Sequence, residues 1–464
     1  MNPLTGGLKF LSTTLFNSLV ALVFFIVAGH FASPSFVGKV AIIQLVEAVS
    51  ASFFSVLSFQ LVTREVAHYH ASSQDYTKVV YTTLSYSLLV SPFLLFLLLF
   101  PSYLWLSIPY FVLYLYTSYQ FQLLSGLGKF TEVNVGNAIF ILARWGLSVI
   151  AVFHQSIALL IIFWTLGALI RAIYYQRSLP FKFLIDRRVF KEIVKAGFPI
   201  YIYGIISFIS SQGDRVVTAF LLGSYDLGIY QLVALAAIVP SMLIYSFSNS
   251  LIPSSTYHYA KGRDIRDMSS MTFRVASLIS LPIAILGYAV SPLLISNLFP
   301  QYVSGIESMQ LLILFLTATM PLQLLSTFMI SAKVSYRPFV LIGSLSAVEV
   351  ISLSYLLIPK LGVLGAAVAQ VVNALLASSL YLVFSVKQRV FPLGKREVFT
   401  LVLIVLSFLS LIDWVITLIL IVLGFRLLGI VAPGEVRVIE GLTPKPLRVL
   451  ARALYLVASD HSRH

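Results

Sequence analysis

The sequence predicts an all-α polytopic membrane protein with about fourteen transmembrane helices. Three observations lead there. First, 59% of the 464 residues are hydrophobic and only 10% are charged, against about 25% charge in a soluble domain. A chain this apolar has too little polar surface to face water, so the bilayer is its solvent. Second, the apolar residues fall into runs of about 20, the length an α-helix needs to cross the hydrocarbon core. Third, the loops between the runs alternate between very short and longer and basic.

The runs, in order, are residues 8–30, 38–62, 79–100, 103–125, 132–153, 156–176, 196–222, 227–250, 272–297, 307–331, 339–358, 363–385, 397–412 and 414–432. The opening MNPLTGGLKF carries one lysine before a long apolar run and reads as the first span, not as a cleaved signal. The last two runs form one apolar stretch interrupted by Asp413. They read as two short helices with a tight turn at Leu411–Trp414, or as one long tilted or re-entrant helix, which would make twelve spans. Residues 433–464 form a polar, basic tail, with a short surface helix expected over Pro446–Ala458.

Most of the 31 Lys and Arg lie in the longer loops 63–78, 126–131, 177–195, 251–271, 332–338 and 386–396 and in the tail. Arg171, Arg274 and Arg426 lie near the same ends of their spans, and only Lys39 and Lys360 lie at the opposite ends. The excess of basic residues on one side places both termini in the cytoplasm, with an even number of spans in a cell membrane. The net charge of +14 is therefore a topology signal. A nucleic-acid partner is not expected, because no single soluble face collects the charge.

Residues 36–69 overlay residues 226–259 at an offset of 190, pairing Gly38 with Gly228, Ser58 with Ser248, Leu61 with Leu251 and Tyr69 with Tyr259. The repeat predicts two six-helix lobes related by a pseudo-twofold axis along the membrane normal. The expected division is an N-lobe of 1–176, a cytoplasmic linker of 177–195, a C-lobe of 196–385, the last two spans within 386–432, and the tail. In repeated transporters the binding site lies between the halves.

Charges at membrane depth are costly and usually functional. The candidates are Glu47, Arg144, the adjacent Asp214 and Arg215, and Glu349; Arg64, with Glu65, stands at the inner end of the second span. One reading puts Arg144, Arg215, Asp214 and Arg64 around an anionic headgroup, since the planar guanidinium fork matches phosphate oxygens and keeps its charge when desolvated. Glu47 and Glu349 then serve a coupling proton or sodium ion. The other reading pairs the arginines with Glu47, Asp214 or Glu349 as helix-to-helix contacts, and makes Arg64–Glu65 an interfacial anchor. Cys is absent, which removes disulfides and thiolate metal sites. His68 and His70 are two apart and do not share a helix face, so no metal site is expected. No Walker A, H-E-x-x-H or elbow serine motif is present. No cofactor and no enzymatic activity are expected.

Three stretches carry a family resemblance. They are GDRVVTAFLLGSYDLGIYQLVALAAI across the seventh and eighth spans, LSFQLVTREVAHY at the end of the second, and KLGVLGAAVAQVVNALL, with Gly362, Gly365 and Ala366, at the entry to the twelfth. Together they resemble the polysaccharide and lipid-linked oligosaccharide flippases of the multidrug/oligosaccharidyl-lipid/polysaccharide exporter superfamily. The resemblance implies two six-helix lobes around a central cavity and alternating access that carries an isoprenoid-linked glycan to the outer leaflet. Spans 13 and 14 would offer the lipid tail a groove. Arg64, Asp214 and Arg215 match motif positions. The first span lacks the basic residues that flippases of the peptidoglycan precursor carry there. A drug or cation antiporter of the same superfamily is the alternative, and a membrane-embedded polymerase or scaffold a more distant one.

Overall fold

The computed structural model describes residues 3–73, 75–261, 264–332 and 334–431. The expected tail and its surface helix lie outside them. The chain divides into two compact units, 1–228 and 229–464.

In the first unit, α1 (Pro3–Phe31) is followed by α2 (Pro34–Phe53), whose start is set by Ser33: its hydroxyl accepts from the Phe36 amide, and Pro34 occupies the first turn where no donor is needed. Next come α3 (Phe59–Ala71), α4 (Thr77–Val90) with a 3₁₀ extension Ser91–Leu99, α5 (Ser102–Leu106) and α6 (Ile108–Gly126). Beyond these lie α7 (Phe130–Ile141), one stretch of π-helix Leu142–Leu147, α8 (Ser148–Phe153), α9 (Ile157–Gln176) and α10 (Arg187–Leu221). Asp186 caps α10, accepting from the amides of Arg188 and Val189. α11 (Gly223–Ala260) starts in this unit and continues into the next.

The expected linker 177–195 is held against α4. The Leu184 amide donates to Ser85 Oγ (2.9 Å) and the Asp186 amide to Thr82 Oγ1 (3.0 Å). The first turns of α2 and α11 approach backbone to backbone. A Cβ on Gly38 would lie 1.6 Å from the Ser224 carbonyl oxygen, and one on Gly228 would lie 1.8 Å from that of Pro34. These are two of the residues paired by the internal repeat, and only glycine fits at either place.

The second unit holds α12 (Arg266–Leu298), a 3₁₀ turn Pro300–Gly305, α13 (Ile306–Gln323), α14 (Leu325–Ser331), α15 (Arg337–Leu361), α16 (Val363–Lys387), α17 (Lys395–Ser407) and α18 (Trp414–Leu427). Gly362, at φ +59, turns α15 into α16 in a single residue. Its core runs through Phe273, Leu281, Ile285 and Leu314 to Phe391, Ile421 and Phe425.

Among the described residues, every expected span but the second falls largely on helix. Among the described residues, nine helices are long and apolar enough to cross a membrane, as suits a multi-pass membrane protein. Within 397–431 the chain forms two short helices, α17 and α18. They are separated at the expected place, where the Asp413 carboxylate accepts from the amides of Val415 and Ile416 and caps α18.

The second span departs from expectation. It is not one helix: α2 ends at Phe53, and residues 54–58 are non-helical before α3 begins. Helix ends leave carbonyls unsatisfied, which is costly away from water. Three tyrosines from other helices of the unit supply donors. Tyr201 donates to the Phe53 carbonyl (3.0 Å), Tyr86 to that of Phe54 (3.0 Å) and Tyr119 to that of Leu57 (3.1 Å).

Candidate functional site

The first unit encloses a cluster of charge inside aromatic walls. Glu47 faces inward from the middle of α2 and is 8% exposed. Arg144 reaches it from the π-helical stretch with both arms of its fork: Nη1 donates to Oε1 at 3.0 Å and Nη2 to Oε2 at 2.7 Å. Tyr110 of α6 adds its hydroxyl to Oε2 at 2.6 Å. The π-helical stretch admits one residue more per turn than the flanking α-helix, a local distortion that recurs at functional sites.

The guanidinium of Arg144 lies over three rings, 4.4 Å from the centroid of Trp164, 4.7 Å from Trp145 and 5.5 Å from Phe140. Trp164 is itself fixed, its indole N–H donating to Ser148 Oγ at 3.1 Å. Such contacts strengthen when desolvated.

A second guanidinium shares the Phe140 ring. Arg171 of α9 is 5% exposed and lies 3.9 Å from that centroid. Its Nη2 donates to the Thr117 hydroxyl, and its Nε has no hydrogen-bond partner among the described residues. The interior therefore presents two arginines near one carboxylate, and that carboxylate is already occupied by the fork of Arg144 and by Tyr110. An arginine does not discharge by losing its proton. The surplus positive charge of Arg171 is built into the unit.

The other expected residues lie elsewhere. Asp214 of α10 is buried at 2% exposure, whereas Arg215 is half-buried and donates to Gln212 Oε1 at 2.6 Å. Successive helix residues point about 100° apart, which separates the two. Arg64 sits on α3 with a largely exposed side chain and donates to its neighbour Glu65 at 2.5 Å. Glu349 lies mid-way along α15 in the second unit, and neither of its carboxylate oxygens has a hydrogen-bond partner among the described residues. Of the six expected site residues, only Glu47 and Arg144 are paired with each other.

In the sequence Arg171 stands only as a basic residue near the end of its span. A signal was present: Trp164, Arg171 and Tyr175 are spaced at seven and four, so they share one face of α9, and all three are buried. A further buried pair was also missed. In the second unit, Arg274 of α12 donates to Glu397 at the start of α17. Among the described residues, no group of three or more His, Asp and Glu could hold a metal ion.

Comparison with known proteins follows this geometry. Residues 112–303 match a family model described as polysaccharide biosynthesis protein. An inward-facing multidrug resistance MATE family transporter of the MOP superfamily superposes with a TM-score of 0.65 at 13% identity, over 81% of this chain and 94% of that one. The lipid II flippase MurJ, in an inward closed conformation, superposes with a TM-score of 0.53 at 16% identity, over 89% and 96%. The chain shares the fold of these two transporters. A MOP superfamily transporter from Pyrococcus furiosus, whose binding pocket is described as reversed in polarity, shares it at 12% identity and a TM-score of 0.54, over 83% and 94%. No curated protein sequence matches the chain.

Proposed function

We propose that the protein is a flippase that moves a glycan linked to a polyprenyl pyrophosphate from the cytoplasmic to the outer leaflet of the cell membrane, working by alternating access of two six-helix lobes. The observation that carries this reading is the match of residues 112–303 to a polysaccharide biosynthesis family. That segment contains Arg144, Arg171, Asp214 and Arg215, and so most of the charge at membrane depth. The surplus cation fits an anionic cargo: a pyrophosphate entering a dry, positively charged interior gains far more than it would from the same arginine in water.

The geometry supports a division of roles among the residues. Arg144 is neutralised by Glu47, so the pair positions the cage, and Arg171 supplies the uncompensated charge. Arg215 and Arg64 are accessible enough to meet the headgroup on its way. Glu47 is saturated with donors and suits a positioning role. Glu349 is left as the carboxylate for a coupling proton or sodium ion, because its oxygens have no hydrogen-bond partner among the described residues. That same carboxylate, with the likeness to a multidrug transporter, favours a drug or cation antiporter as the second reading.

The test is reconstitution into vesicles containing a fluorescent polyprenyl-pyrophosphate disaccharide on both leaflets. A membrane-impermeant quencher extinguishes about half of the signal in empty vesicles. Flippase activity takes the loss well beyond half. A loss that stays at half, with uptake of a lipophilic cation against a proton gradient, decides for the antiporter.

A further inference from the structure

Away from the charge cage, the second unit holds a polar cavity of about 430 Å3 where three chain reversals converge. Tyr259 and Asp264 enter it between α11 and α12, Ser335 from the segment before α15, and Gln388 and Arg389 from the end of α16. Its apolar side is formed by Ile265 and Val390, both buried and packed on Phe328. The volume falls within the usual range for small-molecule sites, about 300–1,000 Å3.

The two charged groups of the lining are not equivalent. Asp264 is fully engaged: one carboxylate oxygen accepts from the Arg266 amide at 2.9 Å, and the other accepts from its guanidinium at 2.7 and 2.5 Å. These bonds hold the Asp264 carboxyl below its ordinary range. Arg389 takes part in none of the ion pairs found among the described residues. It also holds a left-handed backbone conformation, φ +55, which a residue with a Cβ seldom adopts. The conformation is held because the amides of Val390 and Phe391 both donate to the Ser385 carbonyl, and that of Arg389 to Val386. Strain of this kind collects at ligand sites. Here it holds a cation that has no ion-pair partner among the described residues at the rim of a cavity.

The remaining lining groups bring donors. Ser335 accepts from the Arg337 amide through Oγ at 3.4 Å, which leaves its hydroxyl proton to donate, and Tyr259 and Gln388 add a phenol and an amide. The cavity thus offers an arginine fork and three neutral donors, with its one carboxylate already neutralised. We infer that this cavity binds a phosphate group, held by Arg389 with Tyr259, Ser335 and Gln388 completing the donor set. The phosphate would come from the headgroup of an anionic lipid or from a soluble phosphorylated compound. Loops 251–271, 332–338 and 386–396 are among the basic loops of the sequence, and basic pockets at the ends of membrane helices suit anionic headgroups. The inference is independent of what the transport pathway carries.

The test uses the full chain in nanodiscs and the variant Arg389→Asn, which removes the cation while tolerating the left-handed backbone. Arg187→Gln, an exposed basic residue in the first unit, controls for bulk charge. In the first arm, nanodiscs of mixed phosphatidylglycerol and phosphatidylcholine are stripped and the retained lipid is counted by native mass spectrometry. A fall of about tenfold in retained phosphatidylglycerol, equivalent to about 1.4 kcal/mol, in Arg389→Asn but not in Arg187→Gln supports a lipid headgroup. In the second arm, inorganic phosphate is titrated against thermal unfolding. An upward shift that is lost in Arg389→Asn supports a soluble phosphate. If Arg389→Asn does not fold, Ser335→Leu, which fills the cavity and leaves the charge in place, gives the same losses. Wild-type retention and an unchanged phosphate response in the folded variants overturn the proposal.

Discussion

Among the described residues, each unit buries one arginine–glutamate pair, and the two are built differently. In the second unit, Glu397 accepts from Arg274, from the Ser270 hydroxyl and from the Gly394 amide at 3.1 Å, so the same carboxylate joins α12 to α17 and caps the first turn of α17. Arg274 also donates to Ser270. These contacts are all polar, as in a clamp. In the first unit, Glu47 and Arg144 meet across residues 97 apart, from the middle of two helices, with aromatic rings for walls and a second guanidinium beside them. Buried pairs are weak evidence for stability in themselves. What separates these two is the surplus: the clamp is neutral, and the cage carries one cation more than its carboxylate can neutralise.

The sharpest way to break the contrast is Glu47→Ala. It leaves two buried guanidiniums without their acid, and removing one partner of a buried pair costs about 3–5 kcal/mol. Thermal unfolding in detergent should show a large fall, and the double variant Glu47→Leu with Arg144→Met should regain most of it. If the double variant is no more stable than the single one, the pair does not act as a unit.

The equivalent change in the clamp, Glu397→Gln, should cost less, about 1–3 kcal/mol. A glutamine has one acceptor oxygen, so it still accepts from Ser270 but loses the charge and the oxygen that faces the Gly394 amide. Transport by this variant is expected to stay near wild type once protein amounts are matched. A transport defect as deep as that of Glu47→Ala would erase the distinction between clamp and cage.

Arg171→Gln tests the surplus directly. Removing an uncompensated buried cation should leave the unfolding temperature unchanged or raise it, while glycolipid translocation in vesicles falls by about tenfold, about 1.4 kcal/mol. The combination matters, because a merely structural arginine would lower both readings together. Retained translocation would assign the charge to packing alone.

The cage was only partly legible in the sequence, for a physical reason. Arg144 and Glu47 stood out because any charge within an apolar run does, and their pairing was one of the two readings the residues allowed. Arg171 did not, because five residues from the end of a span is where an arginine ordinarily extends to the interface. Its burial depends on Phe140 and Thr117, which come from other helices. The spans themselves were legible, because apolar length is a local property. Asp413 marked the division of 397–432 by the same logic, as a polar residue with nowhere to go but a helix cap. The interruption at 54–58 was hidden. Its residues, FSVLS, include neither glycine nor proline, and the donors that make it tolerable come from Tyr86, Tyr119 and Tyr201.

That interruption gives the smallest and most local test of the first unit. Tyr119 is buried, and its hydroxyl donates to the Leu57 carbonyl at 3.1 Å. Tyr119→Phe keeps the ring, including its contact with Phe59, and removes only the donor. With no water nearby to replace it, the carbonyl is left unsatisfied at a cost of about 1–3 kcal/mol. Tyr201 also donates to the break, but its bond to Phe53 is exposed, so water can replace it and Tyr201→Phe should cost clearly less. Amide hydrogen exchange over residues 53–60 reads the difference: faster exchange in Tyr119→Phe than in Tyr201→Phe is expected if the break is held by buried hydroxyls. Equal exchange in both would mean that the packing of the rings, and not their donors, keeps α2 and α3 apart.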